Sequence, residues 1–214
     1  MKYCIYCGDE IAENASYCPL CGREQKIEHQ YTKEVGREPG VRAYIERNRS
    51  KIRISLFIFC IFLHISGYYI GITSSIPRSE AEVLIEETMK PFGERPTALA
   101  IAKNNITIAV LFITPVVGII LMPIISYNTG LIFSAISKVN EIPKVSLLTS
   151  IFLSPIFWFE LIAFNLVTTH GIMIIIGLAT RNFKKEAFNL LKAFVATIAI
   201  LVISAIIEIV MITY

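Results

Sequence analysis

Charge is what this sequence has least of. Asp, Glu, Lys and Arg make up 17% of its 214 residues and hydrophobic residues 54%, against roughly 25% charged in a soluble domain. The uncharged runs 54–77, 104–137, 145–159, 161–180 and 193–207 exclude an ordinary water-soluble globule. A helix needs about 20 apolar residues to cross a bilayer core, and the first run alone is long enough. The chain also lacks a Gly-rich phosphate loop and any nucleophile–base motif, so no enzyme is expected. The net charge is only +3, and residues 1–50 hold as many acidic as basic side chains, which offers nucleic acid no basic face. No cleavable signal peptide is expected, because the first apolar segment lies far inside the chain and is too long for one.

What the N-terminus does have is cysteine. Cys4-x2-Cys7 and Cys18-x2-Cys21 are separated by ten residues, and each pair is followed by glycine, Gly8 or Gly22. Each pair suits a tight knuckle, and the glycines permit the backbone such a turn requires. Two knuckles supply four thiolates, the closed tetrahedral set of one structural Zn2+ with no open catalytic position. A disulfide pair, a redox dithiol or an iron site would use the same residues. About 25 residues cannot build a core, so the metal would supply the folding energy, and reduced thiols place this end in a reducing compartment. The stretch "YCIYCGDEIAENASYCPLCG" resembles the short prokaryotic zinc ribbon that often precedes membrane segments, matching in both knuckles, both glycines, Tyr17 and Pro19. The resemblance implies a structural module that contacts another protein.

Three domains are expected: the ribbon at 1–25, a polar linker with a juxtamembrane helix at 26–52, and a transmembrane helical domain at 53–214. His29 in the linker is expected to be solvated. The fold class is an all-α polytopic membrane protein with about five transmembrane helices, some broken or re-entrant. Spans are expected at 54–75 and 104–125. Pro115, Pro123, Asn128 and Gly130 are available to bend or break the run to 137, and the break is expected at Asn128-Thr129-Gly130, with a short helix at 129–138 tucking back. The stretch 145–180 should form a tight hairpin or broken helix turning near Asn165–Gly171, and the last span should cover 188–212. Four crossings is the alternative to five. Near 77–103, Ala81, Leu84, Ile85 and Met89 share one helical face, which suggests an amphipathic helix along the outer surface. Basic residues at 37–53, at Lys138 and Lys144, and at 181–192 would all lie inside. That puts the protein in the cell membrane as a multi-pass chain, N-terminus cytoplasmic and C-terminus outside.

The candidate intramembrane polar site comprises Asn105, Asn128, Glu160 and His170. A carboxylate in a span faces a bundle interior or a wet cavity, though Glu160 also fits a hydrogen-bonded or snorkelling role. His170 could pair with it if the segment folds back. Glu208 is expected to snorkel, and His64 and Cys60 to pack between helices. "KNNITIAVLFITPVVGIILMPIISYNTGLIFSAIS" resembles the stage II sporulation protein M family of integral membrane proteins, through Asn104-Asn105, Gly118, Asn128 and Gly130. Pro155, Glu160, Leu161 and Ala163 match the family's Pro-His-Gly-x-x-Glu-Leu motif, while Ile156-Phe157 replaces its His-Gly pair. The resemblance implies about five spans and, in spore formers, a membrane complex that remodels the cell wall during engulfment.

Two functions follow as expectations. One is a membrane scaffold whose ribbon docks a protein partner. The other is a small-solute or ion transporter or channel built around Glu160. Gly67 and Gly71, four apart in the first span, would permit close packing in a homodimer.

Overall fold

The computed structural model describes residues 2–4, 6–12, 15–24, 41–93 and 96–213. His29 and most of the expected linker lie outside these. Contacts divide the chain into two units, Met1–Tyr44 and Ile45–Tyr214. The first contains an antiparallel pair, β1 (Lys2–Tyr3) and β2 (Glu10–Ile11). A short helix, α1 (Val41–Arg47), straddles the boundary between the units.

Ile45–Tyr214 is helical because its sequence offers nothing else. Long apolar runs in a bilayer must satisfy every backbone amide internally, which an α-helix does. The elements are α2 (Arg49–Thr73), α3 (Arg78–Met89), a 3-10 turn at Lys90–Phe92, α4 (Ala98–Ile113), α5 (Val117–Val139), α6 (Lys144–Leu153), α7 (Pro155–Ala179) and α8 (Phe183–Thr213). Four of these, α2, α5, α7 and α8, are long and apolar enough to cross a membrane. At 16 residues, α4 reaches about 24 Å.

Pairwise contacts fix the helix directions. Gly67 lies against Pro123 and Ser126, Gly71 against Tyr127 and Gly130, and Ser134 Oγ donates to Ser74 O at 2.7 Å. Both sequences rise together, so α2 and α5 are parallel. The approach is close enough that a Cβ on Gly71 would run into the Tyr127 carbonyl, so the two backbones meet at small residues. Gly67 and Gly71 are therefore used within the chain, and the face they define is not open to a second copy. α7 runs antiparallel to α2, since Asn165 meets His64 and Thr180 meets Arg49. α8 folds back on α7, with Thr197 Oγ1 donating to Ala163 O and Gly177 packed on Glu186. α7 is the central helix: more than half of its apolar window is buried, against about a quarter in the other three.

The structure corrects several sequence expectations. The break in 104–137 is not at Asn128–Gly130, where α5 runs uninterrupted, but at Thr114–Val116. Pro115 stops α4, and Val116 (φ 65°, ψ −55°) forms a γ-turn closed by Val117 N–H donating to Pro115 O at 2.7 Å. Pro115 brings no N–H that would need a partner there, and Gly118 N–H is satisfied by Thr114 O at 2.8 Å. The stretch 145–180 holds no hairpin at Asn165–Gly171. The interruption is at Ser154, and α7 starts with Pro155 at its first position, where a missing N–H costs nothing. Asn165 and Thr168 donate to the carbonyls of Leu161 and Phe164 in their own helix rather than turning the chain.

Lys144 is not at the same end as Arg49 and Arg53. Its Nζ donates to Ser74 O at 2.6 Å and Thr73 O at 3.3 Å, so it caps the far end of α2. A cation is favoured there by the helix dipole and the last free carbonyls. Arg78 beside it reaches Val139 O and Glu141. The amphipathic segment is α3, which buries Ala81 and half-buries Leu84 and Ile85, while Met89 is exposed.

Candidate functional site

The four cysteines of the first unit meet. Their sulfurs lie within 4.8 Å of one another and could hold a metal ion. Cys4 Sγ is 3.7 Å from Cys21 Sγ, and Cys7 Sγ is 3.6 Å from Cys18 Sγ. A tetrahedron of metal–sulfur bonds of ~2.3 Å has edges of about 3.8 Å, so the spacing fits a thiolate-bound ion. Disulfides, at roughly 2.05 Å, are excluded.

The geometry comes from two copies of one local pattern. Residues 3–10, YCIYCGDE, are repeated at 17–24 as YCPLCGRE. In each copy the first cysteine donates N–H to the residue five on (Cys4 to Asp9, 2.8 Å; Cys18 to Arg23, 3.0 Å). The glycine donates back to that cysteine (Gly8 to Cys4, Gly22 to Cys18, both 2.9 Å). Gly8 (φ 76°) and Gly22 (φ 66°) take the left-handed conformation that closes each knuckle. Tyr3 pairs with Glu10 and Tyr17 with Glu24 in the same register.

The sulfurs also influence one another. Burial would raise the Cys4 thiol, but the N–H groups of Tyr6 and Cys7 and the neighbouring thiols bring it down to about 6. The Asp9 N–H favours the Cys7 thiolate, yet Cys4 beside it, burial and the remaining sulfurs push Cys7 up to about 12. One thiolate forms easily here and the next is opposed, so four together require a cation. Around the cluster Tyr3, Tyr6, Tyr17 and Leu20 are exposed, with Arg23 stacked 5.0 Å from the Tyr6 ring.

The expected intramembrane residues are only partly brought together. Asn105 on α4 donates from Nδ2 to Glu160 Oε1 on α7 at 2.6 Å, and Asn104 Nδ2 reaches Asn105 Oδ1 at 3.3 Å. Glu208 of α8 lies within electrostatic reach of Glu160. Asn128 is exposed on α5, away from this pair. His170 cannot meet Glu160, because ten residues of unbroken helix separate them by about 15 Å. Its Nδ1 is buried without a hydrogen-bond partner among the described residues, and it faces Arg53 and Glu186.

A further polar cluster appears that the sequence did not announce. Glu186 is fully buried, and each of its carboxylate oxygens accepts from an arginine at 2.8 Å, Arg49 Nη1 on Oε1 and Arg53 Nη2 on Oε2. Arg49 Nη2 also donates to Thr180 Oγ1 at 2.8 Å. The available signal was Glu186 itself, the one acid among the basic residues of 181–192.

No known protein family, curated protein or solved structure matches this chain.

Proposed function

We propose that this protein is a membrane scaffold: a Zn2+-folded head in the cytoplasm that docks a protein partner, carried on a body of five crossings. The observation that carries this is the head itself, a closed four-sulfur cluster ringed by exposed Tyr3, Tyr6, Tyr17 and Leu20. Aromatic side chains on a metal-fixed frame make contacts at little entropic cost.

The crossings are α2 outward, α4 inward, α5 outward, α7 inward and α8 outward, which leaves the C-terminus outside. Charge supports this orientation. Arg47, Arg49, Lys51, Arg53, Arg181, Lys184, Lys185 and Lys192 oppose only Glu46 and Glu186 at one end, while the other end is balanced. The two segments that carry the resemblance to the stage II sporulation protein M family, Asn104-Asn105 and Glu160-Leu161, meet where Asn105 donates to Glu160. A photo-crosslinking residue at Tyr17 or Leu20 tests docking. A discrete adduct in cells, absent when Cys18 and Cys21 are serine, is expected; no adduct at either position contradicts it.

The Asn105–Glu160 pair favours a second role, an ion or small-solute path through the bundle, which Glu160→Gln would abolish in liposome flux assays.

A further inference from the structure

The hairpin of α4 and α5 stops short of the basic end of the bundle. Its tip packs at Gly171, where a Cβ would come within 2.6 Å of Ile113 O, and Gly171 is about 12 Å from the end of α7 at Ala179. Below the tip, no helix among the described residues lies beside the first turns of α8 where a longer α4 would lie. An open groove of about 490 Å3 results, lined by Ile113, Pro115, Ile174, Phe183, Leu190 and Phe194 among others. This is within the ~300–1,000 Å3 of ligand sites, but almost nothing polar faces into it.

The mouth of the groove has the opposite character. Phe183 lines that end, and Arg181 and Lys184, next to it in the chain, are both exposed, whereas Lys185 falls on the opposite face of α8. Arg49 and Arg53, by contrast, are held by Glu186. An apolar slot ending beside Arg181 and Lys184, which have no ion-pair partner among the described residues, suits a molecule with an apolar tail and an anionic head. A polar solute would leave its hydrogen bonds unmet in the slot, and an uncharged lipid would leave the two cations unused.

We propose that this groove binds one anionic phospholipid, its acyl chain beneath the α4–α5 tip and its phosphate at Arg181 and Lys184. The proposal requires only that the helices lie in a bilayer, so failure of the docking role leaves it standing.

The test uses the full chain in neutral detergent with phosphatidylglycerol, phosphatidylcholine or inorganic phosphate added. Native mass spectrometry should show one phosphatidylglycerol retained at least tenfold better than phosphatidylcholine, with a matching rise in the unfolding midpoint. Arg181→Asn/Lys184→Gln (asparagine tolerates the left-handed backbone at 181, φ 57°) and the groove-filling Ala187→Trp should each abolish the preference. Equal retention of both lipids by the wild-type chain would overturn the proposal without recourse to any variant. So would a midpoint shift reproduced by phosphate alone, or a preference that survives in correctly folded forms of both variants.

Discussion

Asn105 and Glu160 are 55 positions apart in sequence and 2.6 Å apart in space, the amide of one donating to the carboxyl of the other. The contact ties the 16-residue α4 to the central helix α7. Both sit in segments built mostly from apolar residues. A buried polar group that loses its partner costs about 1–3 kcal/mol. Asn105→Leu should therefore lower unfolding stability in detergent by about that amount, while Glu160→Gln, which keeps a hydrogen-bonding carbonyl toward Asn105 Nδ2, should cost clearly less. Equal losses in a thermal or denaturant titration would mean that the contact is incidental.

Glu186 anchors the opposite end. With both oxygens paired and no exposure, it joins the start of α2 to the α7–α8 turn. Removing one member of a buried ion pair costs roughly 3–5 kcal/mol. Glu186→Gln should be destabilising on that scale, and the loss should change little between low and high salt, because a buried pair is poorly screened. A loss that disappears at high salt would place the pair at an exposed surface.

Topology gives a sharper contrast. The turn at Glu141 and the start of α8 at Lys184 lie at opposite ends of the bundle. Introduced cysteines at these positions should therefore react with an impermeant maleimide from opposite sides. With wild-type labelling as the background, Glu141→Cys is expected to react in intact cells and Lys184→Cys only after permeabilisation. Labelling of both under one condition would restore the arrangement in which Lys138 and Lys144 share a side with Arg49.

Metal removal should act on the head alone. A strong chelator is expected to strip one metal ion per chain, Zn2+ on the proposed reading, and expose the four thiols to a colorimetric reagent, while the helical circular dichroism signal of the body stays unchanged. Loss of the helical signal along with the metal would show that the two units do not fold independently.

What could be read in the sequence follows from how local each signal is. The cysteine cluster was legible because its geometry is set within two eight-residue repeats. Helix positions were legible in outline because apolar runs are bounded by charges and prolines. Helix pairing was not, since α7 is apolar on all sides and carries no angular preference to show which neighbours it meets. Pro115 and Pro123 look alike in sequence, yet one ends a helix and the other sits inside α5. Gly130 reads as a breaker but serves to let α2 approach. Lys144 reads as a topology signal, but its charge is used to cap α2. The Arg49–Arg53–Glu186 cluster joins residues more than 130 positions apart, and no periodicity encodes that contact.

The central claim is that the sulfur-clustered head recruits a partner to a membrane body that folds without it. The most direct test is quantitative mass spectrometry of proteins that co-purify from native membranes with the intact chain and with its Cys18→Ser/Cys21→Ser variant. The account predicts a stoichiometric partner with the intact chain that is lost from the variant, at equal membrane levels of the two. If both forms emerge from the membrane with the same companions, or with none, the docking function is wrong, and the Asn105–Glu160 path becomes the leading account.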